Sequence, residues 1–277
     1  MLPTAKFGEY ELGRLIIGGG PFCGISHYSR AKTLWMRRFL TVENSVALLE
    51  KCVSLGVNTI LARGDDTIFN ILDAYEQKTD KRMNFIVQTA PERGGQAKSI
   101  EEIARHKPIA IYIRGANIDS GKNPLMDLEK RIIRELPDYL KQIHDLGFMA
   151  GVGGHTPEVI DICLEREYEL DFHMQTINQF GFYCRATPER VSKSIKATPK
   201  PVLAFKILGS GRDAPREAFE MVLNSIKPTD FLVVGMTFPE EVEENVGLVE
   251  EFAELSVQIS RNSRKTKNRK RKPRKSN

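Results

Sequence analysis

Apolar, β-branched runs recur along the chain at intervals of roughly 25 to 35 residues. Each is followed by a stretch whose apolar positions repeat at helical spacing. This pattern predicts eight strands: RLIIGGG (14–20), NTILARG (58–64), FIVQTA (85–90), AIYIRG (110–115), FMAGVGGH (148–155), FHMQTIN (172–178), VLAFKILG (202–209) and FLVVGMT (231–237). Between them lie helix-like segments such as TVENSVALLEKCVSLG, KSIEEIARH, LEKRIIRELPDYLKQIHDLG, TPEVIDICLERE and PREAFEMVLNSI. Thr41 and Thr156 stand where helices should start, the latter followed by Pro157 and Glu158. Gly56 and Gly147 stand where helices should stop.

Eight alternating units within about 250 residues predict a (β/α)8 TIM barrel, with a doubly wound open sheet as the structural alternative. The expected organisation is one barrel over residues 1–258 and a disordered, Lys/Arg-rich tail over 259–277. The tail changes the meaning of the charge. The chain of 277 residues carries a formal +5, but SRNSRKTKNRKRKPRKSN holds ten Lys or Arg and no acid. Of 41 basic residues, 31 remain outside it against 36 acids, so the body is acidic by five charges. Any nucleic-acid contact is therefore expected through Arg261–Lys275, non-specifically and by charge alone; the plainer reading is a solvated terminus.

The longest apolar runs are strand-sized, which predicts no membrane span, and MLPTAKFGEYELGRL lacks the order of a signal peptide, so a cytoplasmic location is expected. Cys23, Cys52, Cys163 and Cys184 are scattered without metal-ligand or disulfide-framework spacing.

In a barrel of this type the chemistry gathers where the strands end and the βα loops open. That rule brings together Cys23 and His27 after the first strand, Arg63, Asp65 and Asp66 after the second, Gln88, Thr89 and Glu92 after the third, and Arg114 after the fourth. His155, Asn178, Lys206, Ser210, Arg212 and Thr237 follow from the remaining strands. Such a mouth suits a small anionic molecule handled by acid-base chemistry. His27 lies just beyond GGGPFCGIS, whose glycines permit positive φ and close backbone approach; it is either an acid-base group or a structural loop histidine. His155 precedes a helix start and either meets the ligand or anchors the turn. Arg63 and Asp65 either orient substrate or form ion pairs at the rim. Lys206 interrupts an apolar strand, which leaves two readings: pairing with Asp65 or Glu92, or an amine depressed in pKa for chemistry. No His-x-His or His-Glu-x-x-His pair supports a metal on His27, His155, Asp65 and Glu92, so no metal is expected.

From Gly13 to Phe252 the chain resembles the aldo-keto reductases, NAD(P)H-dependent barrel enzymes. FLVVGMTFPEEVEENV is similar to that family's last strand and following helix, LGRLIIGGGPF to its first strand, VALLEKCVSLGVNTI to its first helix and second strand, and DFHMQTIN and PVLAFKILGSGR to its sixth and seventh strands. The resemblance implies that Glu244 and Asn245 lie near adenosine, that Phe205 stacks on nicotinamide, and that Asn178 fills the family's asparagine position. The catalytic tetrad, however, is absent. Leu61 and Asp66 stand at the places of the Asp and Tyr, Ala90 or Pro91 at that of the Lys, and Arg114 or a neighbour at that of the His. Gly154 and His155, Met174, and Gly235 with Met236 replace the expected cofactor contacts. Carbonyl reduction needs an acid for the developing alkoxide, so ordinary reductase activity is not expected.

Three functions follow. The first is a barrel with a rebuilt polar site that binds or converts a small anion. In it His27, Arg63, Asp65, His155 and Lys206 carry the chemistry, and Glu92, Arg114, Asn178 and Arg212 bind substrate. The second is an NAD(P)H-dependent oxidoreductase with a different proton donor, and the third a non-catalytic scaffold whose tail binds nucleic acid.

Overall fold

The computed structural model describes residues 1–270, with side chains to Leu255. A hairpin opens the chain, β1 (Thr4–Phe7) with β2 (Tyr10–Gly13), joined through Gly8 in the left-handed region at φ 60°. Eight parallel strands follow: β3 (Leu15–Gly18), β4 (Thr59–Arg63), β5 (Asn84–Gln88), β6 (Ala110–Ile113), β9 (Met149–Gly154), β10 (Phe172–Thr176), β11 (Val202–Phe205) and β12 (Phe231–Val234). β12 pairs with β3, so the sheet closes in chain order. The (β/α)8 barrel expected from the sequence is the fold, and the open doubly wound sheet is excluded.

Period-two alternation divides the core. Ile16, Leu61, Ile86, Ala110, Tyr112, Phe172, Met174, Leu203, Phe231 and Val233 point inward and fill the barrel. Ile17, Ile60, Ala62, Val87, Ile111, Ile113, Val202, Ala204, Leu232 and Val234 point outward beneath the helices. At the inward position of Gly151 the Phe172 ring takes the space: an added Cβ would lie 2.4 Å from it. The β1–β2 hairpin closes the amino-terminal end, where the buried Phe7 packs edge-on against Phe172 at 5.0 Å and Phe231 at 5.8 Å.

The surrounding helices are α1 (Arg30–Phe39), α2 (Val42–Ser54), α3 (Asp66–Thr79), α4 (Gln96–Ala104), α5 (Leu136–Asp145), α6 (Glu158–Glu165), α7 (Pro188–Ala197), α8 (Pro215–Ser225) and α9 (Pro239–Lys270). Thr41 caps α2 by accepting from Asn44 N, and Gly56 and Gly147, at φ 87° and 85°, end α2 and α5 as expected. Two local expectations change. The helix predicted from Leu128 begins only at Leu136, beside Pro137; a short ribbon, β7 (Met126–Asp127) with β8 (Ile132–Ile133), takes the preceding residues. Thr156 does not cap α6 with its side chain; its N–H donates to Asp119 of a neighbouring loop at 3.0 Å.

The backbone of α9 continues to Lys270, past the boundary expected at 258; Lys and Arg favour helix and no proline interrupts the run before Pro273. Side chains after Leu255 and all of 271–277 lie outside the described residues, and with them the expected nucleic-acid contact through Arg261–Lys275. Among the described residues no helix is long and apolar enough to cross a membrane.

One buried group makes the fold sensitive to acid. His173 on β10 is 2% exposed, its Nδ1 has no hydrogen-bond partner, and burial, then the charges of Lys227 and Lys200, lowers its pKa from 6.5 to about 3. Between those values the unfolded chain binds a proton that the folded chain refuses, so stability falls as pH falls through that window. His173→Leu is expected to remove this dependence. In urea unfolding, wild type should lose about 2 to 3 kcal/mol more than the variant between pH 6.5 and about 4.5; equal losses would assign the acid limb to other groups.

Candidate functional site at the carboxyl ends of the strands

The same alternation that fills the barrel builds its mouth. Two residues beyond inward Leu61 comes Arg63; beyond Ile86, Gln88; beyond Tyr112, Arg114; beyond Gly153, His155; and beyond Leu203, Phe205. All five border a cavity of about 540 Å³ whose floor includes Leu61, Tyr112, Met174 and Val233. Tyr112 donates to Gln88 Oε1 at 3.1 Å, and its burial raises the phenol pKa far above the usual range, which keeps the proton on it.

Of the twelve candidate residues, His27, Arg63, Arg114, His155, Phe205 and Lys206 line this cavity. The others do not border it. Asp65 caps α3 through Ile68 N and lies 3.3 Å from Arg63 Nε, while Glu92 pairs with both Arg63 and Arg114. Asn178 closes its own loop, accepting from Phe182 N at 2.8 Å and donating to Phe182 O at 2.9 Å. Arg212 lies 4.1 Å above the Phe182 ring and donates to Gly209 O. Glu244 is exposed and Asn245 buried on α9. The Gly18–Gly20 run also acts differently from expectation: none of the three has positive φ, and Gly19 serves close packing, since a Cβ there would stand 2.2 Å from that of Ala62. Of this loop's glycines only Gly24, at φ 63°, is left-handed.

The expected pairing of Lys206 with Asp65 or Glu92 does not form. Arg63 engages both acids with its planar fork, and among the described residues Lys206 has no carboxylate partner. Strand β11 ends at Phe205, and Lys206 takes φ 59°, a left-handed conformation that turns what would be an outward side chain into the cavity. Its ammonium sits 4.6 Å from the centre of the Tyr183 ring and 5.6 Å from that of Phe205; burial pushes its pKa down to about 8.

The partner of His155 is Asp119, a residue that local spacing did not single out. It stands on a single π-helical turn, Ala116–Ser120, after β6. Its side chain is fully buried. Oδ2 accepts the N–H groups of His155 and Thr156, and Oδ1 meets His155 Nδ1 at 2.8 Å; Ser120 Oγ lies 3.2 Å from the same nitrogen. A carboxylate held by two backbone donors accepts the imidazole proton, so Nδ1 carries it and the opposite edge of the ring, with the Nε2 lone pair, is left to the cavity.

Tyr183, also passed over in the sequence, is the hub of the upper rim. The His155 ring is 5.7 Å and the His27 ring 5.2 Å from it, centre to centre, and its hydroxyl lies 3.4 Å from His27 Nδ1. His27 is exposed as a residue, yet its ring packs on Tyr183 and Phe182. That desolvation, then the charges of Lys206, His155 and Arg212, lowers its pKa to about 4. His27 is accordingly neutral at pH 7. Among the described residues no three His, Cys, Asp or Glu side chains gather closely enough to hold a metal ion.

At the edge formed by β12, Glu241 folds back onto the start of α9 and accepts from Thr237 N at 2.5 Å and Phe238 N at 3.2 Å. A side-chain carboxylate thus occupies backbone donors that would otherwise face an anion.

No protein-family model matches the chain, and no curated protein sequence matches it. Solved structures do. An aldo/keto reductase from Klebsiella pneumoniae in complex with NADP and acetate is 14% identical with a TM-score of 0.58, covering 93% of this chain and 95% of that one. An orotidine 5′-monophosphate decarboxylase from Methanocaldococcus jannaschii, complexed with the inhibitor BMP, is 11% identical with a TM-score of 0.52 over 90% and 99%. A thiamine phosphate pyrophosphorylase from Pyrococcus furiosus is 14% identical with a TM-score of 0.50 over 86% and 95%. At such identities the likeness is one of fold, and it reaches well beyond the aldo-keto reductases. The resemblance read in the sequence therefore narrows to its coarser part: the chain is a TIM barrel, a fold it has in common with enzymes of several chemistries.

Proposed function

We propose that the barrel is an enzyme that binds a small anionic molecule in its mouth and moves a proton on it with His155. The observation that carries this reading is the Asp119–His155 pair: a buried carboxylate, fixed by two backbone N–H groups, orients an imidazole on the wall of a cavity that also holds the Lys206 ammonium, which has no carboxylate partner among the described residues. Asp119 is a positioning residue, His155 the acid-base group, and Lys206 the charge that attracts the ligand. Arg63 and Arg114 contribute less than their number suggests, because Asp65 and Glu92 already neutralise much of their charge. Asp65, Glu92, Asn178 and Arg212 support the site by holding Arg63, Arg114 and the loops in place.

A nicotinamide cofactor is the second reading, favoured by one observation: Phe205 presents an aromatic ring to the cavity where the resemblance to the aldo-keto reductases implies stacking. Against it, Glu241 takes the donors at the start of α9, and Glu244 and Asn245 do not border the cavity.

The single tryptophan supplies the assay. Trp35 lies on α1, the helix whose Lys32 and Met36 border the cavity, and stacks on Phe39 at 5.0 Å. Its fluorescence is expected to change saturably with inorganic phosphate or small carboxylates, and Lys206→Met and His155→Ala should each weaken that binding about tenfold. Tight NADH or NADPH binding, followed by cofactor fluorescence, with no response to small anions would replace this reading with the oxidoreductase.

Asp119→Ala tests the positioning role. It strands the N–H groups of His155 and Thr156 and frees the imidazole, so urea unfolding should report a loss of about 2 to 4 kcal/mol. A neutral substitution would remove Asp119 from the account.

A further inference from the structure

We propose that Lys206 is a covalent nucleophile that forms an imine with a carbonyl compound bearing a carboxylate or phosphate, and that His155 shuttles the protons. This inference rests on the reading of the mouth as an anion site and names the substrate class it takes.

Three structural observations converge on it. Lys206 lines the cavity, yet its acids of first resort, Asp65 and Glu92, are held by Arg63. The ammonium instead faces ring surfaces, Tyr183 and Phe205, which solvate a cation far less well than water or a carboxylate does. The proton-transfer group flanks the same two rings, with the His155 ring 5.7 Å from the centre of each. Amine and imidazole therefore border one cavity and have the Tyr183 and Phe205 rings as common neighbours.

Desolvation also supplies the reactive form. With its pKa at about 8, roughly a tenth of Lys206 is neutral at pH 7, on the order of 300 times the fraction for a lysine at 10.5. The neutral Nζ attacks the carbonyl carbon, a C–N bond forms, and the C=O π pair moves to oxygen. His155 Nε2 takes a proton from the nitrogen and returns it to that oxygen, giving a carbinolamine. His155 then takes up a proton from solvent at Nε2; the lone pair of the nitrogen expels the hydroxyl, His155 donates that proton to make it water, and an iminium remains. The balance is amine, carbonyl and one solvent proton to iminium and water, with no change of oxidation state. The iminium then serves as an electron sink, so a proton or carboxylate on the adjacent carbon is made labile. Arg114 and Arg63, at the opposite side of the mouth, face the anionic end of such a substrate.

Full-length protein treated at pH 7 with pyruvate or glyoxylate and sodium cyanoborohydride, then digested and sequenced by mass spectrometry, tests this. Lys32 serves as an internal comparison, since it also reaches the cavity but is exposed. The expected result is one reduced adduct on Lys206, formed at least tenfold faster than on Lys32, with an initial rate that rises as the pH passes through about 8. His155→Ala should slow that labelling at least tenfold, and Lys206→Arg, which keeps the charge, should abolish it while retaining the wild-type unfolding midpoint. Binding of the same oxo acids is followed in parallel by Trp35 fluorescence without reductant. Oxo-acid binding with adducts scattered over surface lysines, or no adduct, overturns the imine and leaves the anion site standing; neither binding nor adduct overturns both.

Discussion

Closing eight parallel strands into a barrel commits alternate side chains of every strand to one shared interior. In the lower layers that interior is apolar and sealed by Phe7 of the amino-terminal hairpin, so it excludes water and fixes the strands against one another. One step higher the same register brings Arg63, Gln88, Arg114, His155 and Phe205 to the open end. This register sets which side chains reach the mouth. A slip of one residue in any strand would turn its rim group outward and put an outward-facing residue in its place, which is why the apolar layers beneath are part of the site's geometry.

Electrostatics then sort the ring. Arg63 and Arg114 are the most conspicuous cations in the sequence of the mouth, yet each has a carboxylate, and their fork-like guanidinium groups use Asp65 and Glu92 to brace the loops after β4 and β5. Asp119 is likewise committed, to two backbone N–H groups and an imidazole. Among the described residues, Lys32 and Lys206 line the cavity without a carboxylate partner; Lys32 is exposed, whereas Lys206 is placed among aromatic rings. A cation in that position is the least comfortable group in the cavity, and either a bound anion or loss of its proton relieves it.

The eight barrel strands were legible because each is a compact apolar run, and the rim residues were legible because period-two alternation extends from core to mouth. The hairpin β1–β2 was not, since half of its eight strand positions are exposed, leaving no apolar run to see. Of the two readings the sequence leaves for Lys206, the pairing fails because a sequence places candidate acids near a lysine without showing that Arg63 competes for both. Asp119 and Tyr183 escaped for a different reason. Their partners, His155, His27 and Lys206, lie on other βα units, so nothing in the local spacing of ANIDSG or FGFYCR marks them. Asn178 and Arg212 were found, but the structure gives them to the loop itself rather than to the cavity.

That reassignment explains how the upper rim keeps its shape. Among the described residues nine non-glycine residues have positive φ, and four of them, His27, Tyr183, Lys206 and Ser210, belong to the loops after β3, β10 and β11 that meet over the cavity. Each such conformation costs about 1 to 3 kcal/mol and persists only where neighbours over-determine it. Here the neighbours are identifiable: Asn178 ties Phe182 at both its N–H and its carbonyl, Arg212 lies over the Phe182 ring, and Tyr183 packs against His27. The strain holds the Lys206 amine and the His27 ring toward the cavity before any ligand arrives, so binding need not order them, and the rotamer entropy that a flexible lysine would lose at that step is lost on folding instead.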